Sequence, residues 1–316
     1  MTKSAPRRSD RPLRFVSLKT RASKVRLEFL GSEPKKGGSF KSFFNGLPAI
    51  LAAQNLREFV EAVVNAKKKK RPVLMMFGAH VIKTGLSRYI ITLMEKGWVT
   101  ALATNGAGVI HDFELAFAGQ TSEDVPAQLK AGIFGFARET GQYLNGWARE
   151  AAGLGSGLGE TIGQKIAASR FPNRRMSLFA RAYGLGVPAT VHAAIGTDIV
   201  YQHPNCDGGA WGQASYTDFK RLTEIVGDLA GGGVIMNWGS AVLMPEVLLK
   251  AIAINRNKGR RMDKITAANF DMIPQYRPRV NVLERPTLWS GSRAFNFIGH
   301  HEILLPLVSQ ALVEHR

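Results

Sequence analysis

Short apolar runs that end in glycines recur along this chain, and they constrain its fold more than any other feature. The run at residues 73–77 is followed by Gly78, and the run at 98–103 is followed by a glycine turn, a histidine and two acids. Continuous apolar runs of strand length are typical of strands buried on both faces of a parallel sheet. Similar turns at residues 194–198 and 231–233 predict that several strand ends converge on one ligand-binding crevice.

Helical periodicity fills the intervals between these runs. The sequence predicts strands at 73–77, 98–103, 188–195, 234–238 and 265–270, and helices at 86–95, 112–152, 217–229, 246–255 and 302–314. Alternating strands and helices indicate an α/β fold with a doubly wound, mostly parallel sheet of five or six strands. We expect residues 41–316 to form a single domain of this kind, with room for a dinucleotide between its glycine loops.

The first 40 residues differ from the rest in charge. They contain eleven Lys and Arg against three acids, in a chain whose net charge is +18. We interpret residues 1–40 as a flexible basic arm. It either makes weak contact with nucleic acid or is simply a solvated tail.

Cysteine and hydropathy patterns indicate the cellular setting. The single cysteine, Cys206, cannot form an internal disulfide, and no N-terminal apolar run resembles a signal peptide. No segment reaches the roughly 18 consecutive apolar residues of a membrane span. The sequence therefore predicts a soluble cytoplasmic protein.

Acidic side chains lie in or beside the predicted turns: Asp112, Glu114, Asp198 and Asp207. In a chain this basic, local negative charge favours a cationic amine as ligand, although helix capping explains the same residues. The histidine spacings match no zinc arrangement, so we predict no metal. The glycine-rich stretch 153–159 has two interpretations, a phosphate-binding loop or a flexible connection between helices.

From residue 73 to the C-terminus, the chain resembles deoxyhypusine synthase. The likeness is clearest at residues 78–108, at 196–200 with His203, at 231–234 and at 304–307. The resemblance implies a Rossmann-like homotetramer with sites at subunit interfaces. It also implies NAD-dependent oxidation of spermidine, with aminobutyl transfer to a protein lysine through an enzyme lysine imine.

Carried over by position, the resemblance implies a set of site residues. Cofactor contacts would be His80, Lys83, Thr104, Asn105, Gly106, Ala107, Gly232, Gly233 and Thr266. Asp198 would bind the substrate amine, and His203, His111 and Lys83 complete the expected catalytic group. His111 stands where the family has an acidic residue.

One departure changes the expected reaction. The family's imine-forming lysine lies in its C-terminal part, whereas this chain has no lysine after Lys264, and arginine cannot form an imine. We predict an NAD-dependent transferase or oxidoreductase that acts on a polyamine or another small amine without making deoxyhypusine. Lys83 would contact cofactor phosphate or replace the missing nucleophile. The alternatives are an enzyme for another nucleotide or phosphorylated metabolite, and a non-catalytic nucleotide- or RNA-binding homologue.

Overall fold

Six parallel strands form one sheet in the computed structural model, which describes residues 13–315. The strands are β1 (Val73–Phe77), β2 (Ala101–Asn105), β3 (Ala189–His192), β4 (Val234–Trp238), β5 (Thr266–Asp271) and β6 (Arg293–Ile298). Their order is β3-β2-β1-β4-β5-β6, so the α/β, Rossmann-like prediction is confirmed. Residues 1–12 of the expected arm lie outside the described residues.

Helices cover both faces of the sheet. They are α1 (Phe40–Asn45), α2 (Leu51–Lys68), α3 (His80–Lys83), α4 (Ser87–Glu95), α5 (Gly106–Ala118), α6 (Val125–Lys130), α7 (Arg138–Leu154), α8 (Leu158–Ala168), α9 (Leu178–Leu185), α10 (Gly208–Gly227), α11 (Leu243–Asn257) and α12 (His301–Val313), with a π-helix at Pro278–Glu284. None of the helices in the described part combines the length and apolarity that a membrane crossing requires.

The alternation of side chains along each strand divides the core. Val73, Met75 and Phe77 of β1 pack with α2, α4 and α12, whereas Leu74 and Met76 pack with α10 and α11. All five β1 side chains are fully buried, which explains why this strand is a continuous apolar run rather than an alternating one. A third cluster unites α5, α7, α8 and α9 beside β3.

The strand order fixes where a ligand can bind. Because all strands are parallel, the loops after Phe77, Asn105, His192, Trp238 and Asp271 meet at one side of the sheet, which we call the carboxyl edge. The chain winds outward in one direction from β1 to β3 and in the other from β4 to β6. Ligands of open α/β sheets bind at such a reversal, here between β1 and β4.

The glycine turn at residues 231–233 is at the opposite side of the sheet, and its predicted place in the crevice is wrong. Gly232 and Gly233 precede β4, and Thr266 is the first residue of β5. They lie at the amino edge, about 16 Å from the end of β4 at a rise of about 3.3 Å per residue. Glycine turns occur at both ends of strands, and composition alone does not distinguish the two.

Several element boundaries also differ from the prediction. The segment 112–152 forms parts of three helices, because Asp124 caps α6 and the chain reverses before α7. The helix predicted at 217–229 starts earlier, at Gly208, where Asp207 accepts a hydrogen bond from Ala210 N–H. Strand β6 was missing from the predicted strands because its alternating residues are half exposed at the sheet edge.

Candidate functional site

A cleft of about 640 Å³ opens beside α5 at the carboxyl edge, and we call it the acidic cleft. Its polar lining is Lys83, His111, Glu114, Gln120, Thr121, Ser122, Glu123, Glu139, Thr140, Thr197 and Asp198, and its apolar lining includes Ala107, Ile110, Phe113, Phe117, Phe134 and Ile199. The cleft therefore brings together five residues singled out in the sequence: Lys83, Ala107, His111, Glu114 and Asp198.

The charge of this cleft opposes that of the whole chain. Four carboxyl groups line it, against one lysine. Burial and the nearby charge of Lys83 lower the pKa of His111 to about 4, so this histidine is neutral at pH 7. A protein with a net charge of +18 thus concentrates negative charge at one place, as a site for a cation requires.

Asp198 lies against the amino end of α5. A Cβ atom added at Gly106 would lie closer than 3.0 Å to Asp198 Oδ2. The carboxylate can therefore occupy this position only because residue 106 is glycine. Burial raises the pKa of Asp198 to about 6, although interaction with Ala107 N–H favours the carboxylate. Asp198 is thus mainly ionised at pH 7 and can accept hydrogen bonds from an ammonium group.

Three side chains on the cleft wall form a hydrogen-bonded row. The Thr121 hydroxyl donates to Glu114 Oε2 at 2.5 Å, and His111 Nδ1 lies 2.6 Å from the same hydroxyl oxygen. Because Thr121 has a single hydroxyl proton, His111 Nδ1 must be the donor in the second bond. The neutral His111 ring therefore has an unprotonated Nε2, which is available as a hydrogen-bond acceptor or base. Thr140 donates to the other Glu114 oxygen, at 2.9 Å.

Two predicted cofactor contacts are engaged within the protein. The buried Thr104 hydroxyl donates to the Phe77 carbonyl at 2.7 Å, and Asn105 Oδ1 accepts from Gly108 N–H at 3.1 Å. With Asp198 beside Gly106, the amino end of α5 already has two side-chain acceptors. A cofactor phosphate does not fit there.

His203 does not line the acidic cleft. Its Nε2–H donates to the Gly135 carbonyl at 2.9 Å, and its ring packs on Gly141 of α7. These contacts fix the segment between α6 and α7, whose Phe134 lines the cleft. We therefore assign His203 to packing and exclude it from the site.

A second set of polar side chains lies at the carboxyl ends of β4 and β5 and at the start of α12, and all of them are buried. We call this place the β4–β5 crevice, after its position beside the strand reversal. Four buried polar atoms there have no hydrogen-bond partner: Asn237 Oδ1, Trp238 Nε1, Asp271 Oδ2 and His301 Nδ1. Elsewhere among the described residues only three such atoms occur. Buried polar groups are normally paired, so these four unpaired atoms, close to the strand reversal between β1 and β4, indicate a candidate ligand site.

Gly239 shapes this crevice. Its φ is +62°, and a Cβ there would lie 2.6 Å from His301 Nε2. Burial lowers the pKa of His301 and so disfavours its charged form. Sequence reasoning missed His301 and Asp271. The available signal was the His300-His301 pair directly after the run 293–298 and Gly299.

The one-turn helix α3 connects the two places. His80, its first residue, lies beside His301, with ring centroids 6.1 Å apart. Lys83, its last residue, lines the acidic cleft. Side chains three positions apart on a helix are about 5–6 Å apart at Cβ. One end of α3 thus lies at the crevice and the other at the cleft.

Two further candidates from the sequence, the stretch 153–159 and Asp112, take part in hydrogen bonds within the chain. Asp218 of α10 accepts from Gly159 N–H at 2.9 Å and from Val191 N–H at 2.8 Å, so the glycine-rich stretch 153–159 holds a carboxylate of its own chain where a phosphate would sit. Asp112 accepts from Leu178 N–H at 2.6 Å at the start of α9. Capping of α9 therefore explains Asp112. Among the described residues, no group of His, Cys, Asp and Glu side chains is arranged to hold a metal ion.

Comparisons with known proteins place the fold. No family model matches the chain, and no curated protein matches its sequence. A candidate deoxyhypusine synthase from Entamoeba histolytica is similar in structure, with a TM-score of 0.51, 11% identity and coverage of 90% of this chain and 96% of that one.

Two further solved structures have the same TM-score of 0.51. The ternary complex of AgrE with ornithine and NAD⁺ is 13% identical, and ArgZ, an arginine dihydrolase from the ornithine-ammonia cycle in cyanobacteria, is 15% identical. They cover 83% and 84% of this chain, which spans about a third of their length (33% and 34%). At these identities the likeness shows a shared fold.

Proposed function

We propose that this chain is an enzyme that binds a small cationic amine in the acidic cleft and acts on it with NAD in the adjacent β4–β5 crevice. The observation that carries the proposal is the charge of the cleft, four carboxyl groups against one lysine in a basic protein. Anionic metabolites would meet repulsion in this cleft. A phosphorylated substrate is therefore the weaker candidate.

The lining suits a flexible amine with an aliphatic chain. Asp198 would accept hydrogen bonds from one ammonium group, and the remaining carboxylates would attract a second. Between them, Phe113, Phe117 and Phe134 offer apolar surface for methylene groups. Diamines and polyamines combine these chemical features, which is why we place them ahead of monoamines.

Amine chemistry requires a neutral nitrogen, and the row on the cleft wall provides a route for the proton. His111 Nε2 would take a proton from the bound ammonium group, and His111 Nδ1–H would pass its proton to Thr121. The Thr121 hydroxyl would give its own proton to Glu114, which burial prepares for protonation by raising its pKa. The amine is then neutral, His111 is neutral in its other tautomer and Glu114 is a carboxylic acid.

The β4–β5 crevice has one acceptor at a strand end that suits a nucleotide. Asp271, the last residue of β5, has an Oδ2 atom with no partner within the chain, and a ribose hydroxyl is a donor that would satisfy it. Bound NAD would supply the hydride acceptor for oxidation beside the amine nitrogen. The AgrE complex with ornithine and NAD⁺ supports a dinucleotide on this fold, at 13% identity.

Calorimetric titration of the full chain with 1,4-diaminobutane, spermidine and NAD⁺ tests the proposal. We expect both amines to bind near pH 7.5, and the Asp198→Asn variant to bind them about tenfold or more weakly, since hydrogen bonds to charged groups contribute about 1.5–3 kcal/mol. NAD⁺ affinity should be nearly unchanged in this variant because Asp198 lines the cleft, not the crevice.

Glu224→Gln is the matched control. Glu224 is an exposed acid on α10 outside the acidic cleft, so its loss changes the net charge equally. Equal weakening by both substitutions would reduce the effect to overall charge. Failure of the wild-type chain to bind any amine would reject the proposal.

A further inference from the structure

The opposite side of the sheet from the acidic cleft is strongly basic. Ten exposed cationic residues surround the starts of β2, β1, β4 and β5, and we call them the amino-edge patch: Lys68, Lys69, Lys70, Arg71, Lys96, Arg256, Lys258, Arg260, Arg261 and Lys264. Residues 68–71 lie at the carboxyl end of α2, where the helix dipole favours positive charge. The fold adds to them a second basic segment that lies almost 190 residues away in the sequence.

Contacts among the loops show that these segments form one surface. Arg71 lies over the turn at Gly231: its Nη2 is 3.2 Å from the position that a Cβ atom would take at Gly231. Lys69 Cδ is 3.7 Å from the corresponding Cβ position at Gly232. The other side of this turn holds the second segment, because Gly231 N–H donates to the Asp263 carbonyl at 3.0 Å. The turn at 231–233 thus lies between two groups of cations and carries no side chains of its own.

Most of this charge is uncompensated. Two ion pairs occur in the patch, Arg260 with Asp228 at 3.7 Å and Arg261 with Asp263 at 2.6 Å. Helix C-termini attract positive charge, and one or two cations per helix end need no further explanation. The four consecutive cations 68–71 at the end of α2, facing the segment 256–264, exceed that requirement.

We infer that the amino-edge patch binds nucleic acid through its phosphates. The cations are spread along the strand starts instead of converging on one point, which fits a repeating polyanion better than a single small anion. From β2 to β5 the edge spans about 14 Å at about 4.8 Å per strand, the length of about four phosphates of one strand.

An aromatic side chain at the same edge favours nucleic acid over a lipid surface. Trp289 is half-buried in the loop before β6, and the Arg256 guanidinium lies 4.8 Å from its ring centroid. Proteins that bind single strands combine a basic track with aromatic rings on which bases stack. The acidic cleft at the opposite edge would repel the same polyanion and so restrict it to this side.

Fluorescence anisotropy with a labelled single-stranded oligouridylate of about 20 nucleotides tests this inference on the full chain. The variant Lys68→Gln/Lys69→Gln/Lys258→Gln removes three exposed cations that have no ion pair among the described residues. We expect it to bind about tenfold or more weakly at moderate salt. The slope of log K against log salt should become shallower by about 2, at about 0.7 per phosphate contact.

Arg170→Gln/Arg174→Gln/Arg175→Gln is the matched control, because it removes the same charge from an exposed cluster elsewhere on the surface. The basic arm is present in all three proteins, so its contribution cancels. Retained affinity in the patch variant, equal losses in both variants, or binding to vesicles of phosphatidylserine and phosphatidylcholine without binding to RNA would each overturn the inference. Equal thermal midpoints for the three proteins exclude misfolding as the cause.

Discussion

Replacing Gly106 by alanine should weaken amine binding without changing the charge of the protein. The new Cβ would approach Asp198 Oδ2 closer than 3.0 Å, whereas ordinary contacts begin near 3.4 Å, so the carboxylate must withdraw by about 1 Å. Displacements of that size cost up to about a hundredfold at preorganised sites. Loss of a charge-assisted hydrogen bond, at about 1.5–3 kcal/mol, predicts a 10- to 150-fold higher Kd.

Gly146→Ala is the control for this substitution. Gly146 lies inside α7, and a Cβ there meets nothing within 4 Å. Alanine should therefore stabilise the helix by up to about 1 kcal/mol and leave amine affinity unchanged. Calorimetry with 1,4-diaminobutane measures affinity, and thermal unfolding measures stability. Wild-type affinity in Gly106→Ala would refute the reasoning, as would a loss of affinity that merely parallels unfolding.

Three other perturbations follow from the same geometry. Amine affinity should fall as the pH is lowered from 7.5 to 5.5, because protonation of Asp198, with a pKa of about 6, removes its charge; a flat calorimetric profile would contradict this. Burial in the folded state raises the pKa of Asp218 from 3.8 to about 7, so folding favours the protonated carboxyl group. The stability that this proton linkage provides should be lost as the pH rises from about 4 to 7. The thermal midpoint of the wild type minus that of Asp218→Asn should accordingly decrease between pH 4 and 8, and an increase would oppose it. Asp271→Asn should weaken NAD⁺ binding about tenfold and spare amine binding, whereas equal losses would mean that Asp271 acts on the fold.

The sheet could be predicted because burial on both faces requires uninterrupted apolar strands. The run at 73–77 matches β1 for that reason, and the run at 234–238 matches β4, in which Asn237 is the one polar residue. Strand β6 and the π-helix Pro278–Glu284 could not be predicted in the same way. The first alternates at an exposed edge, and the second departs from the period of 3.6 residues on which helix prediction rests.

The site was only partly predictable because its contacts join distant segments. Asp198 and His111 could be identified as polar residues near predicted turns, but the contact of the Asp198 carboxylate with Gly106 depends on tertiary packing. The row from His111 through Thr121 to Glu114 involves a loop with no pattern of its own. The glycines at 231–233 were misplaced because a glycine turn does not indicate which end of a strand it adjoins.

A crystal structure of the chain with 1,4-diaminobutane and NAD⁺ bound would test the central claim most directly. We predict an ammonium nitrogen about 3 Å from the Asp198 carboxylate, with the cofactor at the carboxyl ends of β4 and β5 across α3. A diamine outside the acidic cleft, or a cofactor at the amino edge beside Gly232 and Gly233, would contradict it.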